Sequence, residues 1–130
     1  MTALKKPQAQ YLKDYQAPPF LIDHIDLTFD LLPLNTRVTS IMTITKKIAG
    51  VADLVLDGID LTLISITVDN NAYTDYDLLD EQLVIHNLPA QCQLTIVNEI
   101  APKTNTSLEG LYLSGGAYCT QCEAQGFRKI

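Results

Sequence analysis

Residues that could do chemistry concentrate in one short segment, CTQCEAQGFR, at positions 119–128. Cys119 and Cys122 have the Cys-x-x-Cys spacing that is found in zinc sites and in thiol–disulfide enzymes. Gln121 and Glu123 are interleaved with them as a Gln-x-Glu pair. The segment therefore offers two candidate pairs, and the strand or loop that carries them decides between the two.

Zinc and redox chemistry are both disfavoured for the cysteine pair. A structural zinc ion takes four protein ligands, and only Cys92, His24 and His86 could complete such a set. There is no second Cys-x-x-Cys and no His-x-x-x-His. A redox Cys-x-x-Cys opens a helix within a βαβ unit, and the sequence has no βαβ pattern.

Strand geometry favours the Gln-x-Glu pair. If residues 117–124 are extended, successive side chains alternate between two faces. Gln121 and Glu123 then share a face with Cys119, whereas Cys122 lies on the other face. Two cysteines on opposite faces cannot bind one ion together, but the amide of Gln121 lies beside the carboxylate of Glu123. A solvated strand face without function is the alternative interpretation of this pair.

Composition and charge limit the classes of function. The chain has 130 residues, which suits one domain, and its 9 basic and 15 acidic residues give a net charge of -6. Without a cluster of Lys and Arg, this balance disfavours nucleic acid as a partner. The apolar runs are too short to cross a membrane, and the N-terminus lacks the apolar core of a signal peptide. An odd number of cysteines argues against a disulfide framework. We therefore expect a cytoplasmic protein without a membrane partner.

Period-two patterns and regularly spaced turn signals predict an all-β fold. Residues 1–19 are polar and end in Ala-Pro-Pro, which predicts an extended N-terminal arm before a β domain over 20–130. IDLTFDLL, residues 25–32, alternates as a half-buried strand does, and RVTSIMTITKKI, residues 37–48, is its predicted hairpin partner. Further strands are predicted in ADLVLDG, DLTLISITVDNN, QLVIHNLP and CQLTIVNEI. We expect an antiparallel β-sandwich or open sheets.

No complete catalytic set is found elsewhere in the sequence. His24 and His86 lie in strand patterns that favour a hydrogen-bonded structural role, and Asp26 and Asp30 face water on an alternating strand. Neither a His-Glu-x-x-His helix nor a Gly-x-Ser-x-Gly elbow occurs. Ser114-Gly115-Gly116 is interpreted as a turn.

Several motifs resemble those of one enzyme family. LEGLYLSGGAYCTQCEAQGFR, residues 108–128, is similar to the segment that ends the N-terminal β domain of the bacterial aminopeptidase N family, zinc aminopeptidases of the gluzincin group. PQAQYLKDYQAPPF, IDLTFDL, LVIHNLP and NEIAPKTNTSLEGLY resemble other parts of that domain, so the resemblance covers nearly the whole chain. Its specific parts are Glu-Gly-Leu-Tyr and Thr-Gln-Cys-Glu. The resemblance implies a saddle-like β domain.

The resemblance also implies roles for two residues. Matched to the family's Thr-Gln-x-Glu motif, Glu123 binds the free α-ammonium group of the substrate and Gln121 borders the pocket for the first side chain. A fixed carboxylate would select peptides with a free N-terminus and place their first peptide bond at the metal. Downstream, residues 124–128 differ from the Ala-Arg and Phe-Pro-Cys of other members, a departure typical of the bacterial branch that leaves the glutamate assignment intact.

The family's zinc ligands are absent from this sequence. It has no His-Glu-x-x-His and no Gly-x-Met-Glu-Asn, so the resemblance implies that zinc is bound outside these residues, on the catalytic domain of a longer parent. The chain is then a truncated N-terminal domain, inactive alone, whose partners are peptide substrates and that catalytic domain. The apolar face that would dock there is expected to cause self-association. The alternative is a free-standing β-sandwich binding module without catalysis.

Overall fold

The computed structural model describes residues 6–50, 52–123 and 125–130, and strands are the main regular structure in these ranges. The strands are β1 (Phe20–Asp30), β2 (Thr36–Lys46), β3 (Leu54–Asp57), β4 (Thr62–Val68), β5 (Asn71–Ala72), β6 (Tyr76–Leu78), β7 (Gln82–Ile85), β8 (Gln91–Ile100), β9 (Gly110–Ser114) and β10 (Ala117–Gln121). Short 3-10 helices span Leu12–Asp14, Pro102–Thr104 and Gly126–Lys129. Within these ranges no helix is long and apolar enough to span a bilayer. The predicted all-β fold is confirmed.

The strands form three antiparallel groups. A five-stranded sheet has the order β1-β2-β8-β4-β5, a three-stranded sheet has the order β3-β7-β6, and β9 pairs with β10 as a hairpin. Asp69 and Asn70 connect β4 to β5 with positive φ angles of 49° and 66°, as a two-residue hairpin turn requires. This turn sets the register of β5 against β4.

The main core lies between the two larger sheets. Each sheet contributes alternate apolar side chains to it, and Ile44, Ile85 and Leu94 are fully buried there. The cluster comprises Phe20, Met42, Ile44, Leu54, Ile66, Val68, Leu83, Ile85, Leu88, Cys92 and Leu94. A smaller cluster of Val38, Ile100, Leu111 and Ile130 joins the five-stranded sheet to the β9–β10 hairpin. The hairpin is therefore seated on the sheet through its own core.

The half-buried state predicted for the first strand is wrong for most of its length. Phe20 is the buried residue of β1, whereas Ile25, Leu27 and Phe29 are 42%, 39% and 38% exposed. The alternation is present, since these three side chains lie opposite residues of one face of β2. Ile25 and Leu27 remain exposed because they line an open groove between the two sheets, whose opposite side includes Leu56 of β3 and Leu78 of β6.

The N-terminal arm has few contacts with the sheets. Its residues 6–18 are exposed, and the Leu12–Asp14 turn of 3-10 helix interrupts the extended conformation that the prolines predicted. Sheet contacts begin at Pro19, whose carbonyl oxygen accepts from the N–H of Lys47 at 2.8 Å. The boundary between arm and domain at residues 19 and 20 remains a prediction.

Candidate functional site

The β9–β10 hairpin carries the candidate site. Its strands pair from Ala117 opposite Ser114 to Gln121 opposite Gly110, and the predicted Ser-Gly-Gly turn joins them. The loop before β9 is held by Asn105, whose side-chain amide donates to the carbonyl oxygens of Glu109 at 2.7 Å and Leu111 at 3.0 Å. These two hydrogen bonds hold the loop against the start of β9 and so fix where the hairpin begins.

The candidate site residues lie where the hairpin ends. Strand β10 stops at Gln121 and Glu123 lies in a turn, so the expectation of an extended segment over residues 117–124 is wrong beyond Gln121; residue 124 itself lies outside the described residues. The two side chains are not brought together by strand alternation. Instead, the backbone N–H of Glu123 donates to Oε1 of Gln121 at 3.1 Å. Both residues are exposed.

The chain turns after Gln121 because the residues that follow pack back onto the domain. Ile130 is buried in the cluster with Val38, Ile100 and Leu111. Its carbonyl oxygen accepts from the side-chain amide of Asn98 at 3.2 Å. The carbonyl oxygen of Arg128 accepts from the N–H of Ile59 at 2.9 Å. Residues 126–130 are thus tied to the five-stranded sheet and to the loop before β4.

Lys129 adds an ionic contact to this anchor. Its ammonium group donates to Oγ of Ser107 at 3.0 Å. It also lies 3.5 Å from a carboxylate oxygen of Glu109 and 3.9 Å from one of Asp60. The Lys129 side chain is only 16% exposed, but Glu109 and Asp60 are 56% and 84% exposed, so water screens these two ion pairs and each contributes little by itself. The loop before β9 and the segment after Glu123 are therefore held to each other.

The cysteines are not assembled into a site. Cys119 and Cys122 are partly exposed free thiols, and Cys122 packs against the cluster that holds Ile130. Cys92 lies in the main core, where burial, and secondarily Asp69, raises the pKa of its thiol. No group of three or more His, Cys, Asp or Glu among the described residues could hold a metal ion.

A second cluster of ionisable groups surrounds His86, just after β7. Its Nδ1 lies 2.8 Å from a carboxylate oxygen of Asp53, and its Nε2 lies 2.9 Å from one of Asp77. These hydrogen bonds to Asp53 and Asp77, opposed by partial burial, raise the pKa of His86 to about 9. Since both ring nitrogens face acceptors, His86 is the doubly protonated imidazolium.

The sequence analysis placed His86 in a strand and predicted a hydrogen-bonded structural role, but it did not identify the hydrogen-bond partners. The pairing of β3 with β7 sets Leu54 opposite Ile85, so the next residues along, Asp53 and His86, also meet. Correct pairing of ADLVLDG with QLVIHN would have found this contact. Asp77 comes from β6, a three-residue strand that the patterns did not predict.

An apolar groove of about 550 Å³ lies beside the site, between the five-stranded sheet and the three-stranded sheet. Its lining includes Leu27 of β1, Val38 of β2, and Gln125, Phe127 and Ile130 from the segment after Glu123. Asn98 also lines it, and its side-chain carbonyl oxygen is buried without a hydrogen-bond partner among the described residues. The segment after Glu123 therefore forms part of the groove wall.

Solved structures share this fold. Legionella pneumophila aminopeptidase A, in complex with aspartic acid, matches 92% of this chain and 15% of its own with a TM-score of 0.80 and 28% identity. An M1 zinc metallopeptidase from Deinococcus radiodurans, bound to a Tyr-Ser-Ala substrate, matches 85% of this chain with a TM-score of 0.67 and 14% identity. The chain therefore has the all-β fold of a domain found in M1 zinc metallopeptidases.

Sequence comparison gives a closer relationship. Aminopeptidase N of Escherichia coli K12 is 48% identical over 126 residues, or 97% of this chain. Aminopeptidases N of Caulobacter vibrioides and Haemophilus influenzae are 44% and 38% identical over 95% of it. No protein-family model matches. The resemblance to bacterial aminopeptidase N is thus confirmed over nearly the whole chain, which spans only 14% to 15% of the length of these relatives.

Proposed function

We propose that this chain is the N-terminal β domain segment of a cytoplasmic, zinc-dependent aminopeptidase that removes N-terminal amino acids from peptides. The identity to three aminopeptidases N over at least 95% of the chain supports this. The segment contributes the anchor for the substrate's α-ammonium group and part of the first side-chain pocket. It is inactive by itself.

Glu123 is the proposed ammonium anchor. The observation that carries this role is its placement: an exposed carboxylate at a turn that is fixed on one side by the last β10–β9 pair and on the other by residues 126–130. A carboxylate held in this way forms a charge-assisted hydrogen bond with an ammonium group. By binding the substrate N-terminus at a fixed place, it positions the first peptide bond for reaction. The rate gain from such positioning is larger when the anchor does not move.

Gln121 is the proposed border of the first side-chain pocket. Its carbonyl oxygen already accepts from the N–H of Glu123, so its amide nitrogen is the group left to donate to a substrate. The same bond fixes the direction of the Gln121 side chain. Pocket border and ammonium anchor are therefore positioned relative to each other.

Zinc belongs to the proposed parent enzyme and not to these residues. The described part of the chain offers no suitable ligand group, and the ligand motif is absent from the sequence. When bound in the catalytic domain, zinc polarises the carbonyl group and activates water. The contribution of this chain is to bind and orient the substrate.

The catalytic domain of the parent is the proposed occupant of the apolar groove. The groove lies beside the Glu123 turn and its lining includes the exposed side chains of Ile25 and Leu27. The relatives are about seven times longer than this chain, since it spans only 14% to 15% of them. The buried, unpartnered oxygen of Asn98 offers an acceptor for a donor from the docked polypeptide. Docking there would bring Gln121 and Glu123 to the edge of the catalytic cleft.

The test of the amine-anchor role is made in the full-length enzyme. Glu123→Ala should lower kcat/KM for an aminoacyl anilide by about 10-fold to 200-fold, the equivalent of roughly 1.5–3 kcal/mol for a charged hydrogen bond. Glu81→Ala, which removes another exposed carboxylate, is the matched control and should leave kcat/KM unchanged. Equal activity of the Glu123 variant and the control would refute the role.

A free-standing binding module is the rival interpretation, and the natural reading frame separates the two. If codons for His-Glu-x-x-His follow those for Ile130, the chain is part of an enzyme. If the natural gene ends at Ile130, the module interpretation holds instead.

A further inference from the structure

We infer that Gly126 is a positioning residue for Glu123: its missing side chain lets the chain fold back against the last residue of β10, which fixes the turn that presents the carboxylate. This inference rests on the proposed function. It assigns a role to a residue that touches neither substrate nor metal in that proposal.

The turn closes through an unusually close backbone approach. Gly126 is buried, and its N–H donates to the carbonyl oxygen of Glu123 at 3.3 Å. A Cβ atom at position 126 would overlap the carbonyl oxygen of Gln121 and would lie 3.3 Å from its carbonyl carbon and 3.5 Å from the nitrogen of Gly110. Every one of these neighbours is backbone, so no side chain can rotate away to relieve the overlap.

Residues 127–130 prevent the segment from shifting along the hairpin to relieve the overlap. A Cβ atom on Gly110, the partner of Gln121 in the hairpin, would lie 2.7 Å from Cβ and 3.0 Å from the carbonyl oxygen of Lys129. Lys129 is tied to Ser107, Glu109 and Asp60. Residues 126–130 are thus packed on the hairpin end at two successive places.

Because both contacts are tight, a methyl group at position 126 must push the turn away from Gln121. The displaced turn carries Glu123, and the hydrogen bond from the Glu123 N–H to the side chain of Gln121 forms only while the turn stays close to Gln121. A displacement on the order of 1 Å can cost about 100-fold in rate when it moves a substrate-positioning group. The structure therefore predicts a specific loss of ammonium recognition.

The test compares two glycine substitutions in the full-length enzyme, one in the segment after the β9–β10 hairpin and one at the hairpin tip. Gly126→Ala introduces the overlap just described. Gly115→Ala is the matched control: it lies at the hairpin tip with a φ of +57°, and its Cβ would meet nothing within 4 Å, so it strains the hairpin without contact near Glu123. The readout is the free-amine selectivity, which we define as kcat/KM for an aminoacyl anilide divided by kcat/KM for the anilide that lacks only the α-amino group.

This ratio separates positioning from folding. A variant that merely folds less well loses activity on both substrates equally and keeps the ratio. Gly126→Ala is expected to lower the selectivity by about 10-fold, Gly115→Ala to leave it unchanged, and Gly126→Ala in a Glu123→Ala background to cause no further loss of selectivity. An unchanged ratio for Gly126→Ala overturns the inference, and so does an equal loss for Gly115→Ala.

Failure of the proposed function has a different signature. If Glu123→Ala itself keeps the full selectivity, Glu123 is not the anchor and the proposed function fails. If Glu123→Ala loses selectivity while Gly126→Ala does not, only the positioning inference fails. If Gly126→Ala does not fold, Lys129→Met is tested instead, because it keeps the apolar part of the side chain and removes its ammonium contacts. A selectivity loss of about 2-fold to 5-fold in this variant supports the inference. An unchanged selectivity overturns the inference.

Discussion

The backbone N–H of Glu123 donates to the side-chain carbonyl oxygen of Gln121 at 3.1 Å. This contact joins two residues that the sequence singled out for a different reason, namely a shared strand face. Since β10 ends at Gln121, the side chain of Gln121 acts as the closing partner of the turn that follows. The Gln-x-Glu spacing therefore has a local structural explanation that is compatible with the proposed substrate contacts.

Removal of the acceptor oxygen of Gln121 should weaken the turn. Gln121→Met has similar length but cannot accept the N–H of Glu123, and we expect the free energy of unfolding to fall by about 0.5–1 kcal/mol, the low range for one exposed hydrogen bond. Gln121→Glu keeps an acceptor oxygen and is the control. Urea denaturation of the 130-residue chain measures both. Equal unfolding free energies for the two variants would argue that the bond contributes nothing.

Stability should decline at alkaline pH because of His86. Its hydrogen bonds to Asp53 and Asp77 raise its pKa from 6.5 to about 9 in the folded protein. A raised pKa means that the stabilisation is complete below pH 6.5 and is lost as the pH rises through about 9. We expect the urea midpoint of the wild type to fall over this interval and that of His86→Gln to fall less.

Two further variants test whether the alkaline loss of stability comes from His86. Asp53→Asn removes the first of the two carboxylates on His86 and so lowers the pKa of His86 in the folded protein. The alkaline loss of stability should therefore be smaller than in the wild type and be complete at a lower pH. His24→Gln alters an exposed histidine with its own aspartate, Asp26, and should leave the alkaline loss in place. A wild-type urea midpoint that stays constant from pH 6.5 to 10 would contradict the stabilisation by protonated His86 and its two aspartates.

The isolated chain should self-associate through β1. This strand is an edge of the five-stranded sheet and exposes Ile25, Leu27 and Phe29 on the groove side, a combination that favours edge pairing and apolar contact. Sedimentation at millimolar concentration should show dimers or larger species. Leu27→Glu should shift the protein toward monomer, whereas Leu12→Glu, in the arm and 90% exposed in the wild type, should not. A wild type that sediments purely as monomer would refute this prediction.

The sequence predicted strands where apolar residues alternate over several positions. β2, β4 and β8 follow such patterns, and the Ser-Gly-Gly turn was found because its residues suit a tight turn. β6 was missed because three residues are too few to show a period. β9 was missed because the glycines and hydroxyl residues around it resemble a loop, whereas β10 lies within residues 117–124, which were considered as an extended segment.

Burial and site geometry could not be read from the chain alone. Leu27 is exposed because an open groove separates it from the second sheet, and such spacing between sheets is a property of tertiary packing. The turn at Glu123 depends on contacts between Gly126 and the backbone of Gln121, and alternation of faces contains no information about such an approach. The partners of His86 required the correct pairing of β3 with β7. In each case the outcome depends on how separate elements pack together, which a local sequence pattern does not show.

The most direct test of the central claim is a cycle of inhibition constants in the full-length enzyme. An amino acid amide and its analogue without the α-amino group are each measured against wild type and Glu123→Gln, a variant of the same shape without charge. If Glu123 binds the ammonium group, the wild type should prefer the amine by about 10-fold to 200-fold, the range of a charged hydrogen bond, and the variant should lose that preference. An equal preference in both enzymes would show that the ammonium group is bound elsewhere and would contradict the account.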